Sequence, residues 1–253
     1  MARKSNPCIS LIRAIGVIRG VLLDQRKTLR FLIALAVASV SLASTPARAD
    51  GLLYRLPKDG TWARFEMRHT NDNAVVRKTD VFMRSVGRTD DSEGSRWLEL
   101  KYPQEEGTRT VKLLIPEQRL QEGESPLDHV LRAWVRKGEA TESLAKARDF
   151  WLLVLLAGPL TQVEELERKA VDSPLGELEC PGLTGRAHVR EDDRFELDLT
   201  YTTRRHEKAP FGVVTCDIDG ILLRGGEKKA KFKIEFRLAE VGENAMSEMS
   251  GYE

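Results

Sequence analysis

Four side chains of the sequence have the types that bind zinc: Cys180, His188, His206 and Cys216. Thiolate and imidazole groups are the usual ligands of structural and catalytic zinc sites. The spacings between these four residues match no compact ligand pattern, and the chain contains no Cys-x-x-Cys pair. The sequence therefore predicts no metal site and no cofactor.

A hydrolytic site built from scattered residues is a second chemical possibility. His188, His206 and Asp217 could supply acid–base groups, and Asp217 and Asp219 would share one face of a strand, as paired carboxylates require. Yet no Gly-x-Ser-x-Gly elbow presents a serine nucleophile. Neither Cys180 nor Cys216 lies in the local signature of a cysteine protease. We therefore predict a non-enzymatic protein without catalytic residues, and a hydrolase is the least favoured alternative.

The first 49 residues have the organisation of a secretion signal. Basic residues at 26–30 precede an apolar run of 13 residues at 31–43, and a small-x-small site, Ala47-Arg48-Ala49, follows. A helix that spans a bilayer needs about 20 apolar residues. The sequence thus predicts a signal peptide at 1–49, cleaved after Ala49, and no stable membrane span after processing; a retained anchor is the alternative.

Processing changes the charge of the chain. The leader holds eight of the 40 basic residues and one of the 39 acidic ones, so the 204 residues of 50–253 carry 32 and 38, a net charge of −6. A mildly acidic chain is a poor partner for nucleic acid, because phosphate neutralisation supplies much of that affinity. We expect an exported protein, periplasmic or extracellular, in which Cys180 and Cys216 form a candidate disulfide. Two free buried cysteines are the alternative.

Most of the mature chain has the two-residue alternation of strands. Short polar turns separate the alternating runs, which is typical of an antiparallel meander. The tail at 243–253 shows no periodicity and is expected to be frayed. The predicted strands are 61–69, 79–87, 95–103 and 108–116 in the first part, and 176–180, 186–190, 194–202, 211–217 and 229–241 in the last part.

The middle of the chain changes to a helical period. Ser125 and Pro126 suit an N-cap and a first helical position, and the apolar residues of 127–135 form one helical stripe. A second helix is predicted at 141–157, and Thr161 opens a capping box for a third. The sequence therefore predicts one α+β domain at 50–253. In it, a large curved antiparallel β-sheet, half-barrel-like, has a central insertion of two or three helices at about 125–170 packed on one face.

Several segments resemble those of known proteins. The strand at 60–66, the charged strand Arg96-Trp97-Leu98-Glu99-Leu100-Lys101 and the segment at 210–214 resemble exported bacterial proteins of unknown function. The order of elements is similar to the lipoprotein carriers of the LolA/LolB type. That resemblance implies a hydrophobic cavity between sheet and helices, large enough for an acyl chain.

The predicted function is therefore an exported envelope protein that binds a hydrophobic ligand, such as a lipid or acyl chain, between sheet and helices. The alternative is a structural or protein-interaction module of the envelope, with a protein partner. The residues predicted to line the cavity are Phe65, Leu100, Trp134, Trp151, Phe195 and Phe232.

Overall fold

The structure is a computed structural model. It describes residues 48–49, 51–72, 76–89, 94–104, 107–117, 127, 129–143, 153, 159–190 and 196–249, all of which belong to the compact unit 46–253. The predicted leader up to residue 47 lies outside these ranges, so the signal peptide stays a prediction. Within the described ranges, no helix has the length and apolarity that a bilayer crossing requires.

The described residues form one sheet of twelve strands. All neighbouring strands are antiparallel, in the order β1-β8-β9-β10-β11-β12-β2-β3-β4-β5-β6-β7. Two meanders, β2–β7 and β8–β12, therefore join where the last strand pairs with the first long one. The strands are β1 (Arg48–Ala49), β2 (Trp62–Asn71), β3 (Val76–Arg88), β4 (Ser95–Gln104), β5 (Gly107–Pro116), β6 (Arg132–Lys137), β7 (Ala140–Ser143), β8 (Pro159–Ser173), β9 (Gly176–Arg190), β10 (Glu196–Arg205), β11 (Val213–Arg224) and β12 (Glu227–Gly242).

The predicted helical insertion is wrong. The first helix is replaced at 132–137 by β6, because Ala133 and Val135 pair with the buried strand β5. The capping box at Thr161 lies in β8, which pairs with β9 over its length. The second predicted helix begins in β7, and its remainder lies outside the described residues except for the buried Leu153. The described elements are all strands, so the domain is all-β and the α+β class is corrected.

One face of the sheet carries the apolar core. Phe65 of β2, Tyr201 of β10 and Phe236 of β12 are completely buried there. Leu52 and Leu53, which precede the first long strand, belong to the same cluster. Burying a large apolar side chain stabilises the fold by about 1.5–3 kcal/mol. This core face is therefore the dominant stabilising layer of the domain.

Phe232 covers a gap in the core face at Gly220. The two residues are directly opposite each other in β12 and β11, and the Phe232 ring occupies the space that a Cβ of Gly220 would need. We expect Gly220→Ala to lower the free energy of unfolding by about 1–3 kcal/mol through overpacking. Denaturant unfolding measures this loss. Adding Phe232→Leu to Gly220→Ala should restore part of the lost free energy of unfolding. If Gly220→Ala leaves the free energy of unfolding unchanged, this packing is contradicted.

Candidate functional site

The described residues predicted to line a ligand cavity do not surround a common space. Phe65 and Leu100 are buried on the core face. Trp134 lies on the opposite face, because it pairs with Lys112 of β5 while its neighbour Val135 pairs with Val111. Phe232 packs over Gly220 at another part of the sheet, and Trp151 and Phe195 lie outside the described residues.

The two mature cysteines are buried and free. Cys216 is opposite Thr203 of β10, and Thr203 is opposite Leu183 of β9, three residues beyond Cys180. Cys180 and Cys216 therefore lie on strands that are two apart in the sheet. Two strand spacings of about 4.8 Å each exceed the Cα–Cα distance that a disulfide allows. The geometry contradicts the disulfide candidate. Burial raises the pKa of the Cys180 thiol above its ordinary value.

The predicted acid–base residues are also dispersed. His188 Nδ1 lies 2.7 Å from Asp198 Oδ1, whereas His206 Nδ1 accepts a hydrogen bond from the backbone N–H of Lys208. Asp217 instead accepts from Arg237. His188 and Phe232 are among the residues that line an open groove of about 770 Å³. In the described part of the chain, no group of three or more His, Cys, Asp or Glu residues could hold a metal ion.

The most unusual chemistry lies on the other face of the sheet, opposite the core. Glu99 of β4 and Lys112 of β5 face each other in register and are 1% and 0% exposed. Such side chains are almost never fully buried unless they are partnered. The Lys112 ammonium lies 5.0 Å from the centre of the Trp97 ring, and residues 247–249 cover this part of the face.

Glu99 and Lys112 hold the main chain of this short segment. The Glu99 carboxylate accepts hydrogen bonds from the Ser247 hydroxyl at 2.5 Å and from the backbone N–H groups of Glu248 and Met249 at 2.9 and 3.2 Å. Lys112 Nζ donates to Ser247 Oγ at 3.1 Å and to the Met249 carbonyl at 3.0 Å. One acid and one base thus satisfy donors and acceptors of a short bent segment, in which the Met249 N–H also donates to Ser247 Oγ.

Three further cations recognise the side chain of Glu248. Arg84 of β3 donates to its carboxylate, Lys101 of β4 lies 3.0 Å from it, and Arg136 of β6 lies 3.6 Å from it. Arg136 also donates to the Glu248 carbonyl. Charge-assisted hydrogen bonds of this kind are about twice as strong as neutral ones. We call the five receiving residues the cradle: Arg84, Glu99, Lys101, Lys112 and Arg136.

The sheet register and a turn after β12 bring the cradle and its occupant together. Arg84 pairs with Glu99 and Glu99 with Lys112, so their side chains share one face. Asn244, at φ 62°, turns the chain back across this face. The backbone N–H of Ala245 then donates to the Gly60 carbonyl at 2.7 Å. The expectation of a frayed tail is wrong for 243–249, because contacts distant in sequence order it.

The cradle lowers the pKa of Glu248. Burial alone would raise this pKa, but the hydrogen bonds from Arg84 and Lys101 outweigh it. A carboxyl whose pKa is lower in the folded state contributes stability above its ordinary pKa and loses it as the pH falls through the lowered value. We therefore expect the native chain to unfold at higher denaturant than Glu248→Gln at neutral pH, with the difference vanishing in acid.

Parallel denaturant titrations from pH 7 to pH 2 measure this difference. Glu243→Gln, an exposed change on the same segment, is the matched control and should show a smaller difference at every pH. A difference between the native chain and Glu248→Gln that stays constant with pH would contradict the assigned contacts.

Comparisons with known proteins give only distant similarity. No protein-family model matches the chain, and no curated protein matches it. A protein from Bacteroides fragilis described as exported and as having a YmcC-like fold is 8% identical, with 76% of this chain and 99% of that chain covered and a TM-score of 0.39. A protein from Parabacteroides distasonis described as a lipoprotein is 8% identical, with 76% and 100% covered and a TM-score of 0.36.

Scores at this level carry no argument about function. Neither similar structure supports the resemblance to LolA/LolB lipoprotein carriers. The helical lid that this resemblance implies is also missing from the described elements. That resemblance is therefore corrected, and the cradle becomes the basis for a functional proposal.

Proposed function

We propose that the chain is an exported, non-enzymatic protein of the cell envelope that binds a protein partner through the cradle. Export rests on the signal peptide predicted at 1–49. The binding function rests on one observation: Glu99 and Lys112, both buried, hold the main chain of residues 247–249. The partner supplies a short acidic segment to the same five residues.

The energetics of the cradle favour a binding role over a purely structural one. Removing two charges from water costs several kcal/mol per ion, and well-packed apolar residues often stabilise a fold as well or better. A charged cradle instead gives selectivity. Four cations and one carboxylate fit an acidic segment, while a basic segment would meet like charges.

Four of the contacts go to main-chain atoms of Glu248 and Met249, and the rest go to the side chains of Ser247 and Glu248. Ser247 and Glu248 are the residues whose side chains are contacted directly. A partner segment therefore needs a hydroxyl, then a carboxylate, and then an apolar side chain in the place of Met249, which is 1% exposed. The chain's own segment competes at an effective concentration on the order of millimolar, because a short linker tethers it. A partner segment must therefore displace residues 247–249 from the cradle, or bind after they have left it.

The hydrophobic-ligand function has weaker support. Phe65 and Leu100 are packed at 0% and 2% exposure, and none of the helices that would close a cavity is among the described elements. The cradle, in contrast, already holds a peptide. Protein interaction is therefore the function that the described geometry favours.

A peptide titration tests the proposal. The host is the Glu248→Lys variant, whose own segment is repelled by Arg84, Lys101 and Arg136. A fluorescent peptide of residues 243–253 should bind this host saturably. Adding Glu99→Gln or Lys112→Met should weaken binding by about 30-fold or more, since truncating one partner of a buried charged contact costs about 2–5 kcal/mol.

The matched controls are Glu227→Gln and Lys229→Met, which make the same chemical changes at an exposed ion pair at the start of β12. They should leave the affinity unchanged. Absence of binding, or affinity that does not respond to Glu99 and Lys112, would refute the proposed function.

A further inference from the structure

Resting on the proposed function, we propose that the partner is a second copy of this chain. Residues 247–249 of each copy enter the cradle of the other, and the two segments exchange places. The hydrogen bonds and ion pairs that residues 247–249 make with the cradle are then formed between chains instead of within them.

A second copy supplies the segment that the cradle is known to fit. Its Ser247 hydroxyl, Glu248 carboxylate and Met249 carbonyl would satisfy the same groups of Glu99 and Lys112. Exchange of an identical element is a low-cost route to a dimer, because no new complementary surface is needed.

The connection between β12 and the segment favours exchange. Residues 243–246 form a short hinge, in which Asn244 has a positive φ of 62° and the Met246 side chain is 82% exposed. Asparagine adopts this left-handed region at less cost than other residues with a Cβ but at more cost than glycine, and an extended hinge removes that cost. Short strained hinges are a known cause of segment exchange. The backbone bond from Ala245 to Gly60 is the contact that exchange gives up.

Two complementary variants of the exported full chain test the inference. Variant one carries Lys101→Glu and Arg136→Glu, so its cradle repels its own Glu248. Variant two carries Glu248→Lys, so its segment is repelled by its own native cradle. In a mixture, each segment meets a cradle of opposite charge only on the other chain.

We expect each variant alone to sediment as a monomer at micromolar concentration and an equimolar mixture to form a one-to-one dimer. Raising the salt concentration should weaken this dimer, because charge attraction drives it. A mixture that stays monomeric would overturn the exchange.

Binding of the 243–253 peptide distinguishes a failure of the segment exchange from a failure of the proposed function. If the mixture stays monomeric while the peptide binds variant two, the cradle binds segments but not those of a second copy, and only the exchange fails. If the peptide also fails to bind, the proposed function fails with it.

A hinge pair provides an independent test without altered charges. Asn244→Val makes the left-handed turn more strained and should increase the dimer fraction of the otherwise native chain. Asn244→Gly removes the strain and should decrease it. Equal dimer fractions for the two variants, measured by native mass spectrometry over a concentration series, would contradict the role of the hinge.

Discussion

Replacing Lys112 with methionine is expected to lower the free energy of unfolding by about 3–5 kcal/mol, the usual cost of removing one member of a buried charged contact. Methionine has a similar length, so the change removes the ammonium with little change in volume. It deprives the Met249 carbonyl and the Ser247 hydroxyl of their donor. It also leaves the Glu99 carboxylate buried without the cation that faces it across the strands.

A double-mutant cycle isolates the contribution of the contact. Glu99→Gln alone should also destabilise the fold, and the double variant should lose less than the sum of the two single losses, since residues of one network are coupled. Lys229→Met, on an exposed lysine, should change stability by less than about 0.5 kcal/mol. Additive losses at Glu99 and Lys112 would mean that the two residues act separately.

Phe65→Ala is expected to destabilise the domain by about 3–5 kcal/mol, the range for truncating a fully buried aromatic side chain. Phe65 is 0% exposed in the core face of β2, between β12 and β3. Thermal or denaturant unfolding gives the value. Phe82→Ala is the matched control on the opposite face, where the Phe82 ring is half-buried beneath the Arg84 guanidinium, and it should cost less.

The stability of Phe65→Ala also tests whether a ligand cavity surrounds Phe65. A ligand cavity around Phe65 would leave its ring with few packing partners, so truncation would cost little. A loss below about 1 kcal/mol, within the range of ordinary point substitutions, would restore the hydrophobic-ligand function as the favoured one.

The strands of the first third could be predicted because their alternation is local. The expected strands at 95–103 and 108–116 correspond closely to β4 and β5. The helices failed for a different reason. The apolar spacing at 127–135 fits a helical stripe, but Ala133 and Val135 also alternate, and pairing with β5 decides between the two. The partner strand is distant in sequence, so local patterns do not contain the answer.

The cradle could not be predicted because its residues have the pattern of a solvent-facing surface. Glu99, Lys101 and Lys112 alternate with core residues, as charges on an exposed sheet face do. The segment at 247–249 covers Glu99 and Lys112, and that segment has no periodicity. The sequence does place Glu99 and Lys112 opposite each other on neighbouring predicted strands, which indicates a cross-strand charge pair. It does not indicate which segment buries that pair.

The central claim is that Glu99 holds the backbone of the C-terminal segment, and amide hydrogen exchange tests it most directly. The N–H groups of Glu248 and Met249 both donate to the Glu99 carboxylate. In the native chain at neutral pH, we predict that these two amides exchange far more slowly than in the isolated 243–253 peptide, and that Glu99→Gln removes most of the protection. Exchange of both amides at the rate of the free peptide would contradict the account.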